Sequence, residues 1–437
     1  MHSPADDAVN DAAEQWHPTR LSVASWITYD LANTIFALGV GSLYFAQWLT
    51  DSAADLPSWF QRFDEPADLA LAITLDIAMV IVIVLGPWIG ARSDHRGRRI
   101  PYLAPMTLLA VVPTFFIATV GVTASLGLFV IALVGFNLGS VVYDALLPDV
   151  STPETVGRVS GTGIGVGYLG SVVAVLLGAL LLDDYGEAAV FKAIAVLFLI
   201  FAIPTFLFVK ERPRVAEPGP PPSLRASARR LIQAWRRART YDGVARFLVG
   251  RFLYTDAVNT LIGGFLTIYV IEELGFTDSQ VQGLLGVAIV GAIIGGIGGG
   301  RLVDRRGPRW LLHRVLWTWM VAMALGILAG AAEIGSLIWV LGVLGGLALG
   351  ATWAADRVYM QRISPPRHLG EFYGLYATVG RFATILGPLS WGVIVTILGL
   401  PRELALGVLL MFILASRIVL QGVDDSVREW GVDDLRG

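Results

Sequence analysis

The chain is punctuated by apolar runs about as long as a helix needs to cross ~30 Å of hydrocarbon. They lie near 22–49, 68–90, 101–121, 124–147, 159–182, 188–209, 247–271, 280–302, 310–331, 335–356, 371–398 and 403–421. No water reaches the bilayer core to answer backbone N–H and C=O groups, so such runs must be helices. The length of 437 residues would otherwise allow two or three soluble domains. Only 15% of the residues are charged and 55% are hydrophobic, whereas soluble domains carry about a quarter charged residues. The expectation is an all-α membrane protein with twelve transmembrane helices.

Charge placement sets the orientation. Connections after the second, sixth, eighth and tenth runs hold Arg92, Arg96, Arg98 and Arg99, then Lys210 through Arg246, then Arg301, Arg305, Arg306 and Arg309, then Arg362 and Arg367. The alternate connections hold Arg62, Lys192 and Arg402 among acids such as Asp51, Glu65, Asp183 and Glu273. The positive-inside rule therefore places both termini in the cytoplasm of a cell (inner) membrane protein. Residues 1–20 are polar and acidic, lack a basic n-region, and read as a cytoplasmic tail rather than a signal peptide. The remaining divisions are a six-helix bundle over 21–209, a linker over 210–245, a second bundle over 246–421 and a tail over 422–437. Within the linker, breakers at 216–222 precede Leu224, Ala228, Leu231 and Trp235 on one helical face, with Arg229, Arg230, Arg236 and Arg237 around them. That pattern fits a basic amphipathic helix on an anionic leaflet, or equally a solvated linker helix.

Two patterns recur in order. Gly90-Ala91-Arg92-Ser93-Asp94-His95-Arg96-Gly97-Arg98-Arg99 follows the second run, and Gly300-Arg301-Leu302-Val303-Asp304-Arg305-Arg306-Gly307-Pro308-Arg309 follows the eighth. Both fit G-x-x-x-D-x-x-G-x-R. The first run carries Asp30-Leu31-Ala32-Asn33-Thr34 and the seventh Asp256-Ala257-Val258-Asn259-Thr260, both D-x-x-N-T. Two unrelated patterns at equivalent places imply a six-plus-six duplication, and hence two pseudo-symmetric bundles.

The paired loops resemble the signature of the major facilitator superfamily. Trp26-Ile27-Thr28-Tyr29-Asp30, Arg158-Val159-Ser160-Gly161, Arg251-Phe252-Leu253-Tyr254-Thr255-Asp256, Glu371-Phe372-Tyr373-Gly374 and Gly387-Pro388 narrow the resemblance to its vacuole-effluxer-like branch. His95 departs from the Arg or Lys usual in that loop. The resemblance implies alternating access around a cavity lined by spans one, four, seven and ten. It also implies amino-acid efflux, since fungal members of the branch are linked to export from the vacuole.

A carboxylate inside a span is costly and by default marks function. Asn33 and Thr34 share a helix face with Asp30, as Asn259 and Thr260 do with Asp256, so each half offers a polar stripe. A site in the wet interior of a repeat-built transporter competes here with interhelical hydrogen bonding. Arg251 and Arg381 are the cationic counterparts, and Tyr143, Asp144, Asp356 and Arg357 extend the set toward the inner ends of spans four and ten. The set can take an amino-acid zwitterion or form only internal salt bridges, and the sequence leaves both open. Asp76 is a lone carboxylate in span two and a weaker proton-relay candidate. The loop residues Gly90, Asp94, Gly97, Arg98, Gly300, Asp304, Arg305, Gly307 and Arg309 suit a cytoplasmic gate, with glycine allowing the tight turn and Asp–Arg contacts a latch. The alternative is a topology signal only. Glycines of spans five and eight read as packing devices, because no Lys-Ser/Thr follows them to make a phosphate loop.

There is no cysteine, and the five histidines lack metal-ligand spacing. No metal, cofactor or nucleic-acid partner is expected, and no catalytic cluster suggests an enzyme. The reading is a monomeric secondary transporter in contact with membrane lipids, moving a small solute, foremost an amino acid outward, against protons. Export of drugs or other organic solutes is the alternative, and a non-transporting receptor or scaffold is the alternative of another class.

Overall fold

The computed structural model describes residues 16–152, 155–212, 221–365 and 369–426, and no strand occurs among them. The helices are α1 (Arg20–Leu38), α2 (Phe45–Asp51), α3 (Pro66–Arg96), α4 (Ile100–Phe116), α5 (Val122–Ala145), α6 (Val156–Phe208) and α7 (Leu224–Ala238). They continue as α8 (Val244–Thr260), α9 (Leu266–Glu272), α10 (Asp278–Arg306), α11 (Pro308–Ala331), α12 (Leu337–Ile363), α13 (Leu369–Phe382), α14 (Leu386–Gly392) and α15 (Arg402–Leu420). Among the described residues, nine helical stretches are long and apolar enough to cross a membrane, and Ile100–Phe116 is a shorter apolar helix. One of the nine, Gly165–Phe208, contains a break at Gly186, where φ is 72° and ψ 177°. The fifth and sixth apolar runs meet there.

Three of the expected spans are not regular. A π-helix at Gly39–Tyr44 joins α1 to α2, and another at Leu261–Phe265 joins α8 to α9. In the eleventh run, α13 stops at Phe382, α14 begins at Leu386, and a π-helix follows at Val393–Ile397. π-Segments in helices often mark functional sites, and the first two lie just beyond the two D-x-x-N-T stripes.

The chain divides into two compact units. The first comprises the residues up to Trp48 and Val80–Ala228, and the second Leu49–Met79 and Arg229–Gly437. The beginning of α3 thus packs with the second unit.

Small residues hold each unit together. In the first, a Cβ on Gly170 of α6 would lie 2.5 Å from the Leu31 carbonyl oxygen of α1. In the second, Gly291, Gly295 and Gly299 of α10 lie against the backbone of α12 between Val343 and Ala351. Backbones approach this closely only where no side chain intervenes, as in small-residue packing between membrane helices.

The α7 helix forms where the linker predicts a helix, but its inward face is shifted. Ser227, Ala234 and Ala238 are buried, whereas Leu224 is 44% exposed. The small residues at heptad spacing, rather than Leu224 and Ala228, are the ones shielded from solvent.

Candidate functional site

The two D-x-x-N-T stripes are built alike. Thr34 Oγ1 donates to the Asp30 carbonyl at 2.9 Å, and Thr260 Oγ1 to the Asp256 carbonyl at 2.7 Å. Each stripe also rests on a glycine of the fifth helix of its half. A Cβ on Gly167 would meet Thr34 Oγ1 at 3.0 Å and the Asp30 carboxylate at 3.2 Å. A Cβ on Gly387 would strike Thr260 Oγ1 and lie 3.2 Å from the Asp256 carbonyl. Substitution of either glycine would therefore push directly on the stripe.

In the first unit, Tyr143 lies in an aromatic stack that the sequence alone did not assemble. Its ring lies 4.8 Å from Trp26 and 4.8 Å from Tyr29. Tyr143 Oη donates to the Trp26 carbonyl at 3.0 Å, and Tyr29 Oη pairs with Thr107 Oγ1 at 2.6 Å. Asp30 and Asn33 lie on α1 beside this stack, with Asn33 buried; Asp144, one residue past Tyr143, is exposed.

In the second unit, Arg251 of α8 meets Asp356 of α12 in a buried ion pair, Nε to Oδ2 at 3.0 Å. Tyr254 and Tyr376 donate to the two oxygens of Asp356 at 2.5 and 2.7 Å. The guanidinium also lies 3.7 Å over the Tyr376 ring. Both charges are removed from water, which a buried pair tolerates only with enough hydrogen bonds. Asp356 accepts from Arg251, Tyr254 and Tyr376, whereas Arg251 relies on its Nε bond and the Tyr376 face, its Nη1 being buried with no hydrogen-bond partner among the described residues. Arg251 and Asp356 are therefore committed to each other, whereas Arg357 is exposed. Arg381 sits half-buried in the last turn of α13, beside the break.

The break in the eleventh run faces the second stripe. Asn259 Nδ2 donates to the Ala383 carbonyl at 3.1 Å. Asp256 is fully buried, and neither of its carboxylate oxygens has a hydrogen-bond partner of good geometry among the described residues. The amides of Ile385 and Gly387 lie beside it.

Asp76 approaches the same place. Thr396 donates to the Glu65 carbonyl, Trp391 to Asp68, and a Cβ on Gly392 would touch Ala72 at 3.0 Å. The start of α3 and the α14 segment therefore run antiparallel. Four residues beyond Ala72 and five before Gly392 are both ~6–8 Å along a helix, which sets Asp76 level with Gly387 and hence with Asp256. The two carboxylates are close enough to interact electrostatically, and Asp76 Oδ1 also has no hydrogen-bond partner among the described residues. In sequence Asp76 stood alone; its pairing is a tertiary fact.

At the end of α3 away from the arginine-rich connections lies a cluster the sequence did not single out. Arg402 Nη2 is 2.8 Å from Asp68 Oδ2, its Nη1 is 2.9 Å from Glu273 Oε1, and Glu65 completes the set. Trp391 Nε1 donates to Asp68 at 2.6 Å. Asp68 and Arg402 are both buried. Arg402, Glu65 and Glu273 had served only as markers of topology, although an arginine next to several acids is the one signal that could have found the cluster.

The repeated loops turn as the pattern predicts, with φ of 65° at Gly97 and 86° at Gly307. Each following helix is then capped by an acid from beyond the last helix of its own half. Glu211 accepts from the amides of Arg99 and Ile100, and Asp425 from the amide of Arg309 at 3.1 Å. Arg99 also pairs with Asp149 at 3.2 Å, and Arg98 lies 3.7 Å from Glu211. Gly90 and Gly300 lie within α3 and α10, and Asp304 and Arg305 are exposed. The side chain of Asp94 lies outside the described residues. The acids that meet these loops, Glu211, Asp149 and Asp425, lie outside the repeated motif.

A profile of the family described as "Vacuole effluxer Atg22 like" matches residues 69–427. The chain is 28% identical over 409 residues to the uncharacterised MFS-type transporter YxiO of Bacillus subtilis, covering 90% of this chain and 93% of that one. It is 26% identical over 299 residues to autophagy-related protein 22 of Coccidioides immitis, covering 61% of this chain. The chain spans about half (48%) of that fungal protein's length. In fold it resembles a point mutant of the nucleoside transporter NupG, with a TM-score of 0.60 at 13% identity over 92% of this chain and 98% of that one. It also resembles a bacterial homolog of the human lysosomal transporter Spinster, with a TM-score of 0.59 at 14% identity over 96% of both chains. The duplicated loops, the stripes and these likenesses agree: the protein is a multi-pass transporter of the major facilitator type and belongs to the vacuole effluxer Atg22-like family.

Proposed function

We propose that the protein is a proton-coupled secondary transporter that exports an amino acid by alternating access. The observation that carries this reading is Asp256, fully buried with no ion-pair partner among the described residues and level with a second carboxylate, Asp76. A carboxylate kept in a span without a counter-charge is expensive unless it is used, and binding and releasing a proton is a use that needs no fixed partner. Arg381, half-buried beside the break in the eleventh run, is the cation assigned to a substrate carboxylate. Asp30, Asn33 and Thr34 form the corresponding polar stripe of the first unit, suited to an ammonium group. The Arg402 cluster is a latch that must open for the transport cycle to proceed.

The topology follows the same reading. Dividing Gly165–Phe208 at Gly186, and adding Arg20–Asp51 and Ile100–Phe116, makes twelve spans in two bundles of six. Positive-inside charge places both ends in the cytoplasm of the cell membrane. The family description supports efflux, and the protein works as a monomer.

The test is flux into proteoliposomes of opposite orientations with a panel of amino acids, with and without a pH gradient. The reading expects at least one amino acid to move and its flux to follow the gradient. Movement of organic cations or drugs but of no amino acid would favour the second export reading. No flux of any solute would favour a receptor or scaffold.

A further inference from the structure

Where α10 ends, α11 begins and α15 approaches its last turn, an open cleft of about 490 Å³ is lined by Arg306, Arg309, Trp310, Arg314, Trp317 and Arg417, together with His313 and Asp425. The arginines do not stand in it alike. Arg309 is answered by carboxylates, with Nη1 3.6 Å from Asp424 and its amide on Asp425. Arg306 and Arg314 instead lie over the Trp310 ring system at 4.6 and 5.4 Å, and Arg417 lies 4.7 Å over Trp317. No ion pair of these three occurs among the described residues, and Arg417 Nε is shut off from solvent without a hydrogen-bond partner. Stacking on indole fixes a guanidinium plane while leaving its N–H edge free.

The surroundings name the ligand. Trp317 is 50% exposed on the outer face of α11, seven residues from Trp310, so the pair spans ~10 Å along the helix. Trp and Arg together at a helix end are interface groups, the ring in the headgroup region and the charge toward water. Basic pockets between spans at such a depth suit anionic headgroups, and arginine forks match phosphate oxygens two at a time. We infer that this cleft binds the phosphodiester of an anionic phospholipid in the leaflet facing the arginine-rich helix ends. The phosphate sits between Arg314 and Arg417, and the acyl chains run down α11 past Trp317. This site is independent of the transport reading and needs only the membrane character of the chain.

The test titrates the purified full chain with phosphatidylglycerol, phosphatidylcholine and inorganic phosphate, and reads retained lipid by native mass spectrometry. The wild type should hold one phosphatidylglycerol, and R314Q/R417Q should hold it about tenfold or more weakly, because both charged donors to the phosphate are removed. R301Q/R305Q, which removes two exposed arginines outside the cleft, should leave binding unchanged. Equal retention by R314Q/R417Q, equal retention of phosphatidylcholine, or displacement of the lipid by millimolar free phosphate would each overturn the assignment. If R314Q/R417Q does not fold, quenching by brominated phosphatidylglycerol replaces it. Trp317→Phe should then lose a distinct share of the quenching, and an unchanged quench would count against the site.

Discussion

Five residues before the aspartate of each stripe, span one carries Ser25 and span seven Arg251. The Ser25 carbonyl takes hydrogen bonds from Thr28 and Thr205, and the inner part of that unit is held by neutral rings, Trp26, Tyr29 and Tyr143. Arg251 demands an acid, and Asp356, Tyr254 and Tyr376 close around it. Both units have the stripe, the threonine bond and a glycine beneath it, while the position next to them differs, stacking in one and ion pairing in the other. The two arrangements fail differently. A stack loses contact area when one ring is cut, whereas a buried ion pair leaves an unanswered charge.

The largest expected effect lies in the ion pair. Asp356→Ala should destabilise the protein by about 3–5 kcal/mol, because Arg251 remains buried without its partner. R251M/D356L should recover most of that loss, and Ser25→Ala at the matching buried position, which strands no charge, should cost only about 1 kcal/mol. Thermal unfolding in detergent measures all three. A Ser25→Ala loss as large as that of Asp356→Ala would erase the contrast between the units.

Next come the glycines that both units share. Gly167→Ala places a Cβ 3.0 Å from Thr34 Oγ1 and 3.2 Å from the Asp30 carboxylate, and Gly387→Ala drives one into Thr260. Overpacking of this kind costs about 1–3 kcal/mol. Gly165→Ala, with nothing within 4 Å of its Cβ, should be neutral or slightly stabilising, since alanine favours helix by about 1 kcal/mol over glycine. Unfolding midpoints of the three variants decide whether the stripes are held by equivalent contacts. Tyr143→Phe is smaller still: it removes the bond to the Trp26 carbonyl but keeps the stack, for a loss of about 1 kcal/mol.

Much of this was legible because a bilayer permits few solutions. Runs of about 20 apolar residues had to be helices, and Asp30 and Asp256 stood out against them. Other features depend on what folding brings together. Asp76 and Asp256 lie far apart in sequence, and only the antiparallel packing of α3 on α14 sets them level. Asp68 sits in the first turn of α3, where an acid reads as a helix start, so its burial against Arg402 was hidden. The break at Gly186 falls between the fifth and sixth apolar runs as read, but the π-helices after both stripes leave no pattern that periodicity can detect. In α7 the buried face is drawn by Ser227, Ala234 and Ala238, residues too small to register against Leu224 and Trp235.

The central claim is that Asp256 carries the coupled proton, and Asp256→Asn tests it most directly in proteoliposomes. The variant removes a buried charge that has no ion-pair partner among the described residues, so it should fold as well as the wild type and still exchange substrate across the membrane at equal pH. Uptake driven by a pH gradient should be lost. A variant that accumulates substrate against its gradient as well as the wild type, with the same dependence on pH, would contradict the account.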